Sequence, residues 1–232
     1  MIGRHLFVAG AHTDVGKTHV ACALLKAARQ AGLSVEALKP VVSGLEGVDD
    51  DIGAWAETDP GRLLAAAGVA ANKETLANMS PWRFRAALAP PMAASLEGRK
   101  LPLAPVVELC RARIAASSSQ LLVIEGVGGL MSPIADHATG LDLMSALGLP
   151  TVLVGGGYLG SISHTLTALE VLKAKDIRVA AIVISGSADP AAPDFAQTVL
   201  LVEELAAGVS VIAAQRDETR LWPQQVLAAV LA

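Results

Sequence analysis

Short runs of apolar residues recur along the chain without alternating with polar residues. Such a run is typical of a strand covered on both faces, whereas alternation indicates a strand with one face in water. Alanine-rich stretches separate several runs, and the first of them, 18–31, predicts a helix that ends at Gly32. The pattern predicts an α/β fold: an open, doubly wound, mostly parallel sheet with helices on both faces and right-handed crossovers. The predicted strands cover residues 6–9, 35–38, 121–124, 151–154, 179–184 and, as a short last strand, 209–212.

The composition excludes several classes of protein. Of the 232 residues, 53% are hydrophobic and 17% are charged, which excludes general disorder. The formal net charge of −4 argues against a surface built to coat nucleic acid. Cys22 and Cys110 are too few for a disulfide framework or a thiolate zinc site. We expect both to be reduced and buried in a cytoplasmic protein.

One stretch, 143–169, has no charged residue and is long enough to span a bilayer. Pro150 and the glycines at 155–157 interrupt it, so a strand, a glycine loop and the start of a helix explain it better. We therefore expect no membrane span. The sequence shows no internal repeat, and residues 1–232 are expected to form a single domain in which 46–105 is the least regular part.

The block GAHTDVGKT at residues 10–18 lies between the first predicted strand and the first predicted helix. A glycine-containing loop in this position surrounds an anion with backbone N–H groups and a helix N-terminus, as in the P-loop that binds nucleotide phosphates. Lys17 would contact the β- and γ-phosphates, and the Thr18 hydroxyl would face Mg²⁺. Five residues rather than four separate Gly10 from Gly16, so Ala11 occupies the usual first glycine position. The alternative is a chance Gly-Lys-Thr at a helix start.

A second block, EGVGG at residues 125–129, follows the strand predicted over 121–124. Open α/β sheets bind ligands at the carboxyl ends of their strands, so Glu125 is placed where it could hold Mg²⁺ directly or through water. The glycines allow the backbone to approach a phosphate or a base closely. The alternative for Glu125 is a structural carboxylate that caps the next loop.

Three further blocks lie along the chain: KPVVSG at 39–44, LGSISH at 159–164 and, less distinctive, SPWRF at 80–84 followed by APP at 89–91. Together with residues 10–18 and 125–129, these blocks resemble the dethiobiotin synthetase family, whose members have a P-loop NTPase-like fold. The KPVVSG block is the discriminating one, because ordinary P-loop switch proteins lack it. The similarity covers most of the chain and fades after about residue 184.

The resemblance implies a role for each matching residue. Lys39 and Lys17 would be catalytic. Besides Glu125, Asp59 would be the second acidic ligand of Mg²⁺, and Asp51 is the alternative for that second position. Because the family's 160–163 loop meets the substrate of the neighbouring subunit, a homodimer with substrate sites at its interface is also implied. The nucleotide would be bound by Thr13, Asp14, Val15, Gly16, Lys17, Thr18, Gly128 and Ser185, the substrate by Ser43, Gly160, Ser161 and Ser163, and Mg²⁺ by Thr18, Asp59 and Glu125.

The family's reaction sets the expected partners. CO₂ adds to an amine of 7,8-diaminopelargonate to give a carbamate, and ATP phosphorylates the carbamate to a carbamic–phosphoric anhydride. The second amine then closes the ureido ring, a step of biotin biosynthesis. The resemblance therefore implies a Mg²⁺-dependent cyclo-ligase with a nucleoside triphosphate as co-substrate and no nucleic-acid partner.

The chain departs from the family pattern at three places. Ser185 stands where the family often has an asparagine that reads adenine, and a Pro-Trp base contact is missing around residues 213–216. Both departures leave the base preference open. Ser163 also stands where an asparagine is common, so one contact to the substrate carboxylate is expected to be shortened or replaced.

Other P-loop proteins are alternatives. A switch ATPase that forms nucleotide-dependent dimers usually carries an extra lysine early in the loop, and residues 10–12 contain none. A cobyrinate amidotransferase needs a glutaminase domain, for which 232 residues leave no room, and a GTPase needs an Asn-Lys-x-Asp motif that the sequence lacks. A non-catalytic binding module is disfavoured because Lys17, Thr18, Lys39 and Glu125 are all present.

Overall fold

The computed structural model describes residues 4–45, 52–206, 208–215 and 221–232. Its strands, numbered along the chain, are β1 (Arg4–Gly10), β2 (Val35–Leu38), β3 (Val41–Val42), β4 (Trp82–Arg83), β5 (Leu121–Glu125), β6 (Pro133–Ala135), β7 (Ala138–Thr139), β8 (Thr151–Gly156), β9 (Val179–Ser185) and β10 (Val211–Ala214). Its helices are α1 (Lys17–Gln30), α2 (Ile52–Trp55), α3 (Asp59–Ala67), α4 (Lys73–Met79), α5 (Pro90–Leu96), α6 (Leu103–Ala116), α7 (Gly140–Leu147), α8 (Ser161–Ala174), α9 (Phe195–Leu205) and α10 (Trp222–Leu231).

Six strands form one central sheet in the order β2-β5-β1-β8-β9-β10, and every neighbouring pair is parallel. Two small two-stranded sheets lie outside it: β3 pairs with β4 in parallel, and β6 pairs with β7 in antiparallel. The predicted parallel α/β fold is therefore confirmed. Each of the six runs predicted as strands lies in or overlaps a strand of the central sheet.

Some predicted boundaries were wrong by a few residues. The last strand begins at Val211 rather than at residue 209. The first helix begins at Lys17 and ends at Gln30, one residue earlier than predicted at each end. Within the irregular part of the sequence, the described residues 52–96 form four short helices and the two-residue strand β4.

The two faces of the sheet pack against two separate hydrophobic clusters. Alternate residues of β1 divide between them: Leu6 and Val8 belong to one cluster, and Phe7 and Ala9 belong to the other. The first cluster contains residues of α1, α3 and α10, and the second contains residues of α6, α7 and α8. Because the middle of β1, β5, β8 and β9 is buried on both faces, consecutive residues there are apolar, as the absence of alternation predicted.

The start of α3 is fixed by local contacts that also place an acidic side chain. The Thr58 hydroxyl accepts a hydrogen bond from the Gly61 backbone N–H at 3.3 Å, which caps the helix. A Cβ on Gly61 would lie 1.8 Å from the carbonyl oxygen of Trp55, so only glycine permits this close approach. The first residue of the capped helix is Asp59.

The uncharged stretch 143–169 contains the end of α7, all of β8 and the start of α8. The strand, glycine loop and helix start predicted there are confirmed, although α8 begins at Ser161 and His164 therefore lies within its first turn. Over the described ranges, no helix has the length and apolar character needed to cross a membrane.

Neither cysteine is in a disulfide. Cys110 is buried as expected, whereas Cys22 is only partly buried. Burial raises the pKa of both thiols to about 12, so neither is a reactive thiolate at neutral pH.

Candidate active site

The sheet topology brings the ends of three strands together. β1 lies between β5 and β8, and the chain builds the β5 side of the sheet before it crosses to the β8 side. Open α/β sheets bind ligands outside the carboxyl ends of the strands at the point where the strand order reverses. Gly10 ends β1, Glu125 ends β5, and Lys39 directly follows β2 at this edge.

The phosphate loop, residues 10–16, connects β1 to α1. Gly16 has a φ of +95°, and a Cβ there would lie 2.5 Å from the Ser185 hydroxyl oxygen. A Cβ on Gly10 would lie 2.8 Å from the His12 carbonyl oxygen and 3.0 Å from Cδ of Lys17. Glycine at position 10 therefore lets the Lys17 side chain lie against the end of β1.

The N-terminus of α1 faces this loop without a cap. No side chain caps the helix, and its first turn contains no acidic residue. Uncapped N–H groups and the positive end of the helix dipole attract an anion. Together with the Lys17 ammonium, they form a site suited to a phosphate.

Lys39 lies at the centre of the charged network. Its ammonium donates hydrogen bonds to Asp59 Oδ2 at 2.7 Å and to Glu125 Oε1 at 2.5 Å, and its side chain is only 2% exposed. The Thr18 hydroxyl donates to the same Glu125 oxygen at 2.7 Å. Four side chains from β5, α1, α3 and the end of β2 thus converge on one point.

The backbone at Lys39 is held on both sides. Its N–H donates to the Met79 carbonyl at 3.1 Å, and its carbonyl accepts a hydrogen bond from the Ser80 hydroxyl at 2.7 Å. Pro40 follows and restricts Lys39 to an extended conformation. These constraints aim the side chain towards the carboxyl edge of the sheet.

The two lysines have opposite pKa shifts. Burial acts to lower the pKa of Lys39, but the Glu125 and Asp59 carboxylates outweigh it, so the pKa is raised and the ammonium stays charged. Burial, and then the charge of Lys39, lower the pKa of Lys17. For Asp59, burial acts to raise the pKa, but the Lys39 ammonium outweighs it and the pKa is lowered. An incoming polyanion would relieve the repulsion between the two lysines.

The oxygen atoms of this network suit a hard divalent cation. Glu125 is buried, and its Oε2 has no hydrogen-bond partner, so one carboxylate oxygen is left for a ligand. The Thr18 hydroxyl and the half-exposed Asp59 carboxylate lie beside it. Within the described ranges, no three His, Cys, Asp or Glu side chains form a metal cluster. A cation would therefore be held by two carboxylates and a hydroxyl, with phosphate and water oxygens completing the shell, as Mg²⁺ usually is.

A cleft of about 960 Å³ opens above these groups. Ser43 lies on its wall, where its hydroxyl donates to the Leu88 carbonyl at 2.7 Å. Gly128, with a φ of +66°, contributes a backbone segment that passes close to Ser132. The predicted site residues that line the cleft are Thr13, Asp14, Gly16, Lys17, Thr18, Lys39, Ser43, Asp59 and Gly128, and Glu125 lies buried beneath them.

Other predicted site residues lie outside this cleft. The Val15 side chain belongs to the hydrophobic core, so only its backbone could contact a ligand. Ser185 is buried behind Gly16 at the end of β9. Gly160, Ser161 and Ser163 lie at the start of α8 and line none of this cleft. Asp51 lies outside the described residues.

The cleft is also lined by residues to which the sequence analysis assigned no role. Arg62 lies one helical turn after Asp59 on α3, pairs with Glu57 at 3.0 Å and lines the cleft. Leu88 and Pro90 form the opposite wall. The available signals were the spacing of Arg62 from Asp59 and the weak family match that includes residues 89–91.

A smaller cleft of about 240 Å³ lies at the ends of β8, β9 and β10. It begins at Gly186, directly after the Ser185 that contacts the phosphate loop. Its polar side chains are Ser187, Asp189 and Gln215, and the Phe195 ring forms an apolar wall.

The fold and the site together define a protein of the P-loop NTPase-like class. A family model described as an AAA domain matches residues 4–218. The structure of hydrogenase maturation factor HypB from Archaeoglobus fulgidus has a TM-score of 0.55 and 14% identity, covering 99% of this chain and 91% of that chain. A DUF1611 family protein from Anabaena variabilis has a TM-score of 0.51 and 16% identity, and this chain spans 58% of its length. These likenesses show the fold.

A comparison with curated proteins is more specific. The ATP-dependent dethiobiotin synthetase BioD of Phenylobacterium zucineum (strain HLK1) is 50% identical over 226 residues, which cover 97% of this chain and 94% of that protein. The chain therefore belongs to the dethiobiotin synthetase family of ATP-dependent ligases. The family resemblance found in the sequence is confirmed.

Proposed function

We propose that the chain converts 7,8-diaminopelargonate, CO₂ and a nucleoside triphosphate into dethiobiotin in the cleft above Lys39. The observation that carries the proposal is the convergence of the Lys39 ammonium, Asp59, Glu125 and Thr18 beside the phosphate loop. Family membership supports the overall reaction, and the geometry supports the assignment of residues to its steps.

The reaction brings two anions together. An amine of the substrate attacks CO₂ and loses a proton, which gives a carbamate. A carbamate oxygen then attacks the γ-phosphorus and the nucleoside diphosphate leaves, which forms the anhydride. The second amine attacks the carbonyl carbon, the ring closes and phosphate leaves. The carbamate and the triphosphate repel each other until positive charge is placed between them.

Lys17 and Lys39 supply that charge from two directions. Lys17 extends from the N-terminus of α1 and binds the outer phosphates, while Lys39 approaches from the end of β2 and stabilises charge on the transferred group. Because Asp59 and Glu125 hold the Lys39 ammonium in place, little reorganisation is needed at the moment of transfer. The buried setting strengthens each of these contacts.

We also propose that Thr18, Asp59 and Glu125 hold Mg²⁺ when the nucleotide is bound. The unpartnered Glu125 Oε2 supports this assignment. The ion would neutralise charge on the β- and γ-phosphates. The Thr18 hydroxyl already donates a hydrogen bond to Glu125 Oε1 at 2.7 Å, so the two side chains lie side by side.

We propose that the substrate carboxylate binds at the start of α8 in a homodimer. This helix begins after Gly160 with no side-chain cap and no acidic residue in its first turn, and the buried Ser161 hydroxyl has no hydrogen-bond partner. The α8 start lies outside the cleft of its own chain, which fits a site that serves a neighbouring subunit. Met131 and Leu159 nearby are 58% and 87% exposed, and a second copy would cover them.

We propose that the nucleotide base lies in the smaller cleft. Asp189 Oδ1 accepts a hydrogen bond from the Ala191 N–H, so the other carboxylate oxygen remains for an amino group of a base. The Gln215 amide can both donate and accept. The base preference therefore depends on side chains that differ from the family's usual asparagine.

The test measures phosphate release with Mg²⁺, bicarbonate and 7,8-diaminopelargonate, separately with ATP, CTP and GTP, together with dethiobiotin formation. Hydrolysis that depends on the diamine is expected. Hydrolysis that ignores the diamine, with no dethiobiotin formed, would contradict the ligase and favour a switch ATPase. Similar rates with all three nucleotides would fit the absence of the asparagine and the Pro-Trp pair with which the family contacts the base.

A pair of lysine variants tests the residue assignment. Lys39→Ala is expected to lower turnover at least about a hundredfold, the scale for losing a preorganised charged contact. Lys26→Ala removes an exposed lysine of α1 and should leave turnover unchanged. Normal ring closure by a folded Lys39→Ala variant would refute the catalytic role of Lys39.

A further inference from the structure

Three aromatic side chains meet where the phosphate loop approaches the start of α8. His12 and His164 stack with ring centroids 5.3 Å apart and an angle of 13° between their planes. Tyr158 packs against both, at 6.0 Å from His12 and 5.7 Å from His164. We refer to His12, Tyr158 and His164 as the ring cluster. The reaction described above uses none of these residues.

Each ring is anchored by a further contact. Nδ1 of His12 donates to the Thr13 carbonyl at 3.0 Å, and the Tyr158 hydroxyl shares a hydrogen bond with Nδ1 of His164 at 2.7 Å. The Tyr158 ring also lies against Gly156 at the end of β8, where a Cβ would be 2.6 Å from Cε1. The three side chains are therefore in mutual contact, with Tyr158 partly buried and the two histidines exposed.

The ring cluster lies between the phosphate loop and the start of α8, the two proposed anion sites. His12 belongs to the phosphate loop, next to Thr13 in the nucleotide cleft. Tyr158 and His164 flank residues 160–163, where α8 presents its uncapped N-terminus. A shift of the phosphate loop on nucleotide binding would move the His12 ring against His164, and the preferred offset geometry of stacked rings would transmit the shift.

We propose that the ring cluster couples the two sites, so that filling the phosphate loop raises the affinity of the α8 start for the substrate carboxylate, and the reverse. This inference rests on the proposed function, because it takes the α8 start as the carboxylate site. In the proposed homodimer, it links the nucleotide of one cleft to the substrate that reaches into the other. Thermodynamic linkage requires the effect to be equal in both directions.

The test measures the dissociation constant of a non-hydrolysable ATP analogue with Mg²⁺, with and without saturating 7,8-diaminopelargonate, by calorimetry. In the wild-type protein, the diamine is expected to tighten nucleotide binding about fivefold or more. The readout is the ratio of the nucleotide dissociation constant without the diamine to that with it. In His12→Ala, this ratio should fall to near one. In His12→Phe, which keeps a ring but loses the Nδ1 hydrogen bond, most of the ratio should return. The ratio is insensitive to a uniform loss of nucleotide affinity.

Glu170→Ala is the matched control, since it removes an exposed side chain of α8 that pairs with Lys173. It should keep the wild-type ratio. A wild-type ratio near one, or a wild-type ratio retained in a folded His12→Ala variant, would overturn the coupling. A ratio that Phe at position 12 fails to restore would do the same. Dethiobiotin formation by the wild-type protein, measured in parallel, shows separately whether the proposed function holds.

Discussion

The starts of α1 and α8 are built alike and surrounded differently. Each helix follows a strand of the central sheet and a glycine in the left-handed region, with φ of +95° at Gly16 and +93° at Gly160. Neither has a side-chain cap or an acidic residue in its first turn. Two lysines and two carboxylates surround the first, whereas the ring cluster borders the second.

The difference shows what the helix start alone supplies. Backbone N–H groups give either site a fixed set of donors for an anion. Only the α1 site adds the side-chain charges needed for a triphosphate and a divalent cation. The α8 site is suited to a single carboxylate, which needs orientation more than neutralisation.

The two glycines offer the sharpest contrast. Gly16→Ala would strain a left-handed residue and drive its Cβ into the Ser185 hydroxyl at 2.5 Å, so the phosphate loop must move. We expect kcat/KM for the nucleotide to fall at least about a hundredfold. Gly160→Ala meets no atom within 4 Å, so only the backbone strain of about 1 kcal/mol applies. Steady-state kinetics with each substrate varied separately give kcat/KM for both variants.

The clash itself can be tested with a second substitution. Ser185→Ala in the Gly16→Ala background removes the hydroxyl that the new methyl group meets and should restore part of the nucleotide kcat/KM. No recovery in the double variant would show that backbone strain at position 16, and not the clash, causes the loss.

Removal of Mg²⁺ should separate the two sites. With EDTA, the affinity for the non-hydrolysable nucleotide is expected to fall about tenfold or more, because Asp59 and Glu125, the proposed Mg²⁺ ligands, lie at the nucleotide site. The affinity for 7,8-diaminopelargonate, measured without nucleotide, should stay within about twofold. An equal loss of affinity for both ligands would contradict the placement of Mg²⁺ at the nucleotide site and not at the start of α8. Calorimetry measures each constant directly.

A carboxylate placed at the start of α8 should compete with the substrate. Ser163→Asp puts a negative charge on the exposed third residue of the helix, where it interacts well with the helix dipole. We expect about 0.5 kcal/mol of added stability and a KM for the diamine raised about tenfold. The control is Ser163→Asn, which restores the residue common in the family and adds no charge. Urea unfolding and steady-state kinetics provide the two measurements.

The start of α7 is capped, and the stability that this cap provides should depend on pH. The Asp142 carboxylate accepts hydrogen bonds from the Thr139 N–H and hydroxyl, both at 2.7 Å, and these bonds lower its pKa. The stabilisation is therefore present above the unfolded pKa of about 4 and is lost as pH falls through the lower folded value. Asp142→Ala should cost about 1 kcal/mol near neutral pH and less in acid.

Urea unfolding of Asp142→Ala at neutral and acidic pH measures this difference, with the exposed Glu108→Ala as control. Turnover at neutral pH should not change, because α7 lines neither cleft. A stability loss that is independent of pH would show that the carboxylate charge is not responsible.

Local pattern was enough to predict much of the fold. The strand, loop and helix at 4–30 were predicted because a buried strand, a phosphate loop and an amphipathic helix are each encoded by neighbouring residues. The last strand was misplaced by two residues, because Val209 and Ser210 suit a strand locally but the register with β9 begins only at Val211, and Ser210 contributes just its carbonyl, which accepts from the Ile182 N–H at 2.8 Å. Ladder pairing, which decides the boundary, depends on a strand elsewhere in the chain.

The site shows the same division. Residues 10–18 by themselves predicted the phosphate loop, its glycines and Lys17, because the strand end, the loop and the helix start follow one another in the sequence. Only the tertiary structure decided that the ammonium of Lys39 meets carboxylates 20 and 86 positions away, and that Ser185 supports Gly16. The strand order β2-β5-β1-β8-β9 sets those neighbours, and the order results from packing both faces of the sheet at once. No short stretch of sequence carries that information.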